Sequence, residues 1–292
     1  MRFVSALLLL AASLASAAAQ AGSITDLSQW RLVEDPPDGH FSGSADTNTA
    51  TLTASGGPIP SGTDIGFQSV DGNTVASSGA GFYFSPDQSF ALAIDFSLAF
   101  GTGAGGTLGI GFGIGEDIDG ADSAGVAMLT NNGTAFGTFS AAGRVGDSNQ
   151  IPVPISVSAA LEGSMFVTYD ALTGDVSLGA SQTRDAAVPG GSATYTGIQN
   201  NWDDDGLLVS MFLRSQEVDL RPILFASAWQ SGDAEAVFSN LRVLSGTPIP
   251  IAPAGVAPLP PSLALLAPGL LLLRPRRRAQ QPKTEARPRS LS

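Results

Sequence analysis

The stretch FALAIDFSLAF, residues 90–100, sends Phe90, Leu92, Ile94, Phe96, Leu98 and Phe100 to one side of an extended backbone and Ala91, Ala93, Asp95, Ser97 and Ala99 to the other. Alternation of period two predicts a β-strand with one face in a core. The next segment, TLGIGFGIG (107–115), repeats the device with Leu108, Ile110, Phe112 and Ile114 on one face and Gly109, Gly111, Gly113 and Gly115 on the other. Glycine weakens a strand unless a bend or a close approach requires it. Its alternation here predicts tight packing in a curved sheet, or another backbone or a ligand lying close to that face.

Outward from these two segments the same period continues, broken by turn signals. GVAMLTNNGTAFGTFS (125–140) reads as strand, Asn-Asn-Gly turn, strand, and MFVTYDALTGDVSLG (165–179) as strand, Thr-Gly-Asp turn, strand. TATLTA (49–54), GFYFS (81–85), LLVSMFLRS (207–215) and AVFSNLRVLSG (236–246) are further strands. About ten to twelve strands without helical periodicity predict an all-β fold, a two-sheet antiparallel sandwich of the jelly-roll kind, over residues 22–245. No repeat of solenoid or propeller length is present.

The two ends differ from this body. MRFVSALLLLAASLASAAAQAG (1–22) sets Arg2 before an apolar run, Phe3 to Leu14, followed by small residues at A-x-A spacing. That is the pattern of a secretory signal peptide, expected as a helix over 1–21 and cleaved after Ala21, with Ala19 and Ala17 as alternatives. After the last body strand, SGTPIPIAPAGVAPLPP carries six prolines, so 246–261 is expected as an extended spacer unable to join a sheet. The apolar SLALLAPGLLLL and then Arg274, Arg276, Arg277 and Arg278 complete a segment over 262–278, expected as a short helix, and a disordered basic tail over 279–292. Spacer, apolar run and basic cluster stand in the order of a stop-transfer anchor, so the chain is expected to meet a membrane through this segment, at least transiently.

Charge is divided in the same way. Between Arg2 and the final basic cluster the chain holds six arginines and no lysine against 25 acidic residues, a net charge of −19. Such a surface repels phosphate backbones, so nucleic acid is excluded as a partner of the body. Cysteine is absent, which removes disulfides, thiolate metal sites and thiol nucleophiles.

The chemistry is narrowed mainly by elimination. The one histidine, His40, lies in a Pro- and Gly-rich loop, and no G-x-S-x-G elbow exists, so a serine-hydrolase triad and a zinc hydrolase are disfavoured. EDIDGAD (116–122) places Asp117, Asp119 and Asp122 at the spacing of a glucanase E-x-D-x-x-E run. Aspartate lacks the reach of glutamate, and Asp119-Gly120 signals a turn, so no residue is expected to catalyse and the chain is not expected to be an enzyme. Glu116, Asp117, Asp119 and Asp122, and separately Asp203, Asp204 and Asp205 in NNWDDDG, offer oxygen ligands suited to Ca2+. The alternative is that both are solvated acidic loops. Trp202, Trp229 and Tyr83 are the candidate aromatic faces for a sugar, the alternative being core or rim packing.

GFGIGEDIDGADSAGVAML (111–129), VTYDALTGDVSL (167–178) and AVFSNLRV (236–243), in that order, resemble the concanavalin or laminin-G-like jelly-roll sandwiches of secreted bacterial surface proteins. The resemblance implies a fold that often binds glycans and sometimes Ca2+. The tail, with Val256, Pro258, Leu259 and Pro260 ahead of the apolar run and Arg274, Arg276, Arg277 and Arg278 behind it, resembles the PEP-CTERM family of sorting signals, in particular its VPLPA variety. That resemblance implies an exosortase-like membrane enzyme as processing partner and an address at the surface or in the exopolysaccharide of a Gram-negative bacterium. The expected role is a secreted structural or adhesive protein of the cell surface or extracellular matrix, able to take carbohydrate. A degenerate glycoside hydrolase or lyase is the alternative.

Overall fold

The structure, a computed structural model, describes residues 25–35, 39–56, 64–102, 106–116, 122–146, 148–198, 202, 206–215 and 233–251, with the backbone alone at 34, 35, 64 and 212–215. The chain divides into two units, Met1–Pro253 and Ala254–Ser292, and every described residue belongs to the first. The expected signal helix, apolar helix and basic tail lie outside the described residues.

Two large antiparallel sheets make up the body. With strands numbered in chain order, the first sheet runs β1 (Arg31–Asp35), β4 (Asp64–Gln68), β15 (Leu208–Ser215), β7 (Thr107–Gly115), β8 (Ser123–Asn131), β9 (Thr134–Val145), β10 (Ser148–Asn149), with β11 (Val153–Ser158) also paired to β9. The second runs β14 (Gly191–Tyr195), β13 (Asp175–Ser181), β12 (Glu162–Asp170), β6 (Phe90–Phe100), β16 (Ala234–Ser245), β3 (Thr49–Ala54), β2 (Phe41–Ala45). The expected all-β, two-sheet jelly-roll sandwich is the observed fold. Among the described residues the helical content is one 3-10 turn, Leu27–Gln29, capped by the Asp26 carboxylate on the Ser28 amide.

The two segments that decided the fold form β6 and β7 with the expected limits. Phe90, Leu92, Ile94, Phe96 and Leu98 of β6 are buried and face Leu108, Ile110, Phe112 and Ile114 of β7 across the core. Phe96 meets Phe139 of the opposite sheet edge to face, centroids 5.9 Å apart. The Asn132-Gly133 corner between β8 and β9 has positive φ at both residues, 48° and 74°, the geometry that matches the twist of a tight hairpin.

The glycine face of β7 is explained at Gly113, which pairs directly with Gly125 of β8. A Cβ on Gly113 would stand 2.6 Å from the Ala124 carbonyl oxygen and 2.8 Å from the Gly125 Cα. At Gly113 the glycine serves close backbone approach within the sheet.

One boundary is corrected. The body does not stop at 245: β17 (Ile249–Pro250) pairs with β5 (Phe82–Tyr83), and the Ile251 amide donates to the Gly81 carbonyl at 2.8 Å. Ile251 packs beside Val70, Val75, Leu208 and Tyr83. Proline is barred from a central strand, but a two-residue ladder needs nothing from the missing Pro250 N–H, and alternate apolar residues in IPI supply the burial. The start of the expected spacer is therefore part of the sandwich.

Gly113→Ala is expected to lower unfolding stability by about 1–3 kcal/mol, because a methyl there must push apart two backbones already in contact. Urea denaturation of the two chains checks it, and equal midpoints would remove the close-approach explanation.

Candidate functional site

The polar side chains that the fold brings together most tightly lie on the outer face of the second sheet, around Asp95. In β6 the neighbours of Asp95 on that face are Ala93 and Ser97, so the strand alone offers the carboxylate nothing. Adjacent strands and a loop supply its partners. Ser164 stands opposite in β12, and its hydroxyl donates to Oδ1 at 2.6 Å. Arg242 of β16 donates to the same oxygen through both terminal nitrogens at 3.1 Å. Oδ2 accepts from the Asn240 amide at 2.9 Å and from the Asp185 backbone N–H at 3.1 Å.

A change of register in β16 between Ser239 and Arg242 makes this possible, with Asn240 at a φ of 53°. The irregularity turns both Asn240 and Arg242 toward one carboxylate. Residues 182–190, which join β13 to β14, close over the cluster. Asn240 also donates to the Asp185 carboxylate, Arg242 reaches the Ala186 carbonyl at 3.3 Å, and Arg184 donates to Ser239 at 3.1 Å.

Asp95 is 1% exposed. Burial opposes its ionisation and is the largest single influence. Hydrogen bonds from Ser164, Asn240 and the Asp185 amide, together with the charge of Arg242, outweigh it and hold the carboxyl below the ordinary carboxylate range. Asp95 and Asp185 share the Asn240 amide, so two carboxylates do lie close together. Asp95 is held ionised beneath the loop. Ser164 has no histidine beside it: His40 lies before β2, its Nδ1 3.3 Å from the Ser55 carbonyl oxygen. The arrangement is a clamp that closes residues 182–190 onto the sheet.

The residues singled out in the sequence are placed elsewhere. Glu116 and Asp122 are buried, 3% and 5% exposed, at the ends of β7 and β8. The Glu116 amide donates to the Asp122 carbonyl at 3.2 Å, and Asp122 Oδ1 accepts the Gly146 amide at 2.8 Å, tying this hairpin to the turn after β9. Asp117 and Asp119 between them, Asp203, Asp204, Asp205 and Trp229, and the sorting residues Val256, Pro258, Leu259, Pro260, Arg274, Arg276, Arg277 and Arg278 lie outside the described residues. Among the described residues no three acidic or histidine side chains gather as a metal site would require.

Trp202 is half-buried against Tyr169, ring centroids 5.1 Å apart, and its buried indole nitrogen has no hydrogen-bond partner among the described residues. It ends a line of touching rings that runs through Trp30, Phe82, Phe84, Phe90 and Tyr169. Burial, with Asp87 and Asp170 nearby, pushes the Tyr169 hydroxyl up to about 12, and it remains a donor to the Pro86 carbonyl at 2.7 Å. Tyr83 is half-buried over Gly206, where a Cβ would overlap its ring.

No protein-family model and no curated protein matches the chain. Among solved structures it is similar to an endo-1,3-beta-glucanase from Streptomyces sioyaensis, with 12% identity, a TM-score of 0.46, and coverage of 77% of this chain and 92% of that one. A legume lectin-like domain from Entamoeba histolytica gives 12% identity and a TM-score of 0.43, over 75% and 91% of the two chains. Peanut lectin with a nine-residue peptide gives 13% and 0.40, over 74% and 93%.

The clamp sets an acid limit. A folded-state pKa below the unfolded value adds stability that is complete above about pH 4 and lost as pH falls through the folded value. Asp95→Asn is expected to destabilise the protein by about 3 kcal/mol at pH 7, since Arg242 loses its nearer and buried charged partner and keeps only exposed Asp185 at 3.7 Å, and by progressively less below pH 4. Chemical denaturation across that range checks it. A penalty independent of pH would show that the charge of Asp95 contributes nothing.

Proposed function

We propose that this chain is exported and held at or beyond the cell surface as a non-catalytic β-sandwich with a structural or adhesive role, able to take carbohydrate, delivered there by its C-terminal segment. What carries the reading is the arrangement of the sequence around the sandwich: Arg2 with an apolar run and A-x-A residues ahead of it, and a proline spacer, apolar run and four arginines behind it. A cysteine-free core suits this address, because no thiol chemistry has to be managed during export. An exosortase-like membrane enzyme is the processing partner the tail calls for, and exopolysaccharide the surrounding material.

The polar groups of the body support a non-catalytic role in a specific way. Asp95 is committed to a loop clamp and Asp122 to a turn amide. The reading of a degenerate glycosidase keeps one observation in its favour, the spacing of Asp117, Asp119 and Asp122. Calcium at the same loop, or at Asp203 to Asp205, would act by tying acidic segments together rather than by chemistry.

Expression of the full chain, and of a chain ending at residue 255, in a Gram-negative host that carries an exosortase tests the address. The full chain is expected at the outer surface or in the matrix, with its N-terminus after Ala21, and the shortened one is expected to lose surface retention. Identical fractionation of the two would overturn the role of the tail. The isolated full chain, heated with and without millimolar Ca2+ and with soluble polysaccharides, tests the ligand. A raised midpoint identifies what the folded state binds. Reducing ends released by the wild type and abolished by Asp117→Asn or Asp119→Asn would replace the proposal with the enzymatic reading.

A further inference from the structure

Each open sheet presents two edges, and an unpaired edge invites another strand unless charge, proline, a bulge or a covering segment blocks it. Three of the four edges here are blocked. β1 carries Arg31, Glu34 and Asp35. At the far side of the same sheet β10 has two residues, and β11 contains Pro154 and a register shift. β14 is covered: Tyr195 donates from its hydroxyl to the Ala141 and Ile151 carbonyls, at 3.0 and 3.1 Å, and a Cβ on Gly191 would stand 3.0 Å from Val157. The fourth edge, β2, is Phe41-Ser42-Gly43-Ser44-Ala45, with no charge, no proline and no bulge.

The hydrogen bonds at the two ends of β2 fix which backbone groups are free. Ser55 N–H donates to the His40 carbonyl and Asp46 N–H to the Thr49 carbonyl, both at 2.8 Å. In an antiparallel ladder, paired residues alternate between bonding inward and pointing away. Residues 40, 42, 44 and 46 therefore bond to β3, and Phe41, Gly43 and Ala45 turn their N–H and C=O groups outward, with no strand partner among the described residues.

We propose that two copies of this chain associate through β2, antiparallel about a two-fold axis at Gly43, joining their second sheets into one. The occupant is a second copy because the strand is self-complementary about that residue. Gly43 meets Gly43, Phe41 meets Ala45, and Ser42 meets Ser44. The pairs that fall opposite are the ones whose backbone groups already point outward, giving about six new hydrogen bonds. A chain of net charge −12 repels its own copies, and this edge brings none of that charge to the contact. Leu32, 41% exposed, touches the space beside Gly43, where a Cβ would overlap its methyls. Two copies bring both Leu32 side chains to the axis and cover them, the isologous contact a two-fold requires.

The full chain, purified in mild detergent, is expected to sediment as a dimer. Ser44 is exposed on the outer face, so Ser44→Lys leaves the core intact while placing charge at the contact. It is expected to weaken association about tenfold or more, and Ser192→Lys on the covered β14 edge to leave it unchanged. The absence of native cysteine permits a second, independent readout. Ser42 of one copy and Ser44 of the other form a pair that bonds to neither backbone, at the close Cβ separation a disulfide needs. A mixture of Ser42→Cys and Ser44→Cys chains is expected to oxidise to a covalent dimer that neither gives alone. A monomeric wild type, a dimer indifferent to Ser44→Lys, or no enrichment of the covalent dimer in the mixture would each overturn the proposal.

Discussion

The contact between Phe96 and Phe139 stands for what holds this molecule together. With no cysteine anywhere, no disulfide joins the two sheets, and the fold depends on side chains that cross the gap between them. Phe96 lies on β6, flanked in its own sheet by β12 and β16, and Phe139 lies on β9 opposite. Each fully buried aromatic removes apolar surface worth about 1.5–3 kcal/mol from water, and the rigid period of two repeats that gain along every central strand. The inward face is consequently uncompromising: Phe96, Phe112, Phe139 and Phe238 are all fully buried. Variation is left to the outer faces and the connections.

Asp95 shows what that freedom permits. It occupies the same strand as Phe96, one residue away, and the pleat turns it to the opposite face. There the carboxylate is as buried as the core, at 1% exposure, because a loop covers it instead of a sheet. A charge so placed is tolerable only when hydrogen bonds and an opposite charge replace water, and four groups from three different segments do so. The arrangement confers geometry more than energy: the register shift at Asn240, the left-handed Asp185 and the path of residues 182–190 make sense together once the carboxylate is their common acceptor.

The sequence made the central strands legible because their burial is one-sided and their inward residues are large. β6 and β7 could be read to the residue, and the Asn132-Gly133 hairpin from its turn chemistry. β2 and β14 were harder, since Ser, Gly and Ala alternate without hydrophobic contrast, and those small residues are what leaves them as edges. β17 was hidden by its prolines, which read as a spacer until a two-residue partner, Phe82–Tyr83, is brought to it by the fold. Trp202 beside three aspartates suggested an open ring. Its burial is decided by Tyr169, thirty-three residues distant in sequence, and no local pattern encodes that. The Asp95 cluster left one trace, an acidic residue among alanines on the polar side of a strand. Its partners at 164, 185, 240 and 242 are assembled by topology.

Several polar groups of this fold are spent on shape. Asp95 and Asp122 accept the backbone amides of Asp185 and Gly146, and His40 lies at the Ser55 carbonyl, before β2, rather than beside Ser164 and Asp95. Further acidic residues stand in the sequence at Asp117 and Asp119 and at Asp203 to Asp205. The first segment joins β7 to β8 and the second precedes β15, and these three strands are consecutive in the first sheet, with β7 in the middle. The described strand ends that flank these segments in the sequence adjoin, since Gly115 pairs with Leu208 and with Ser123.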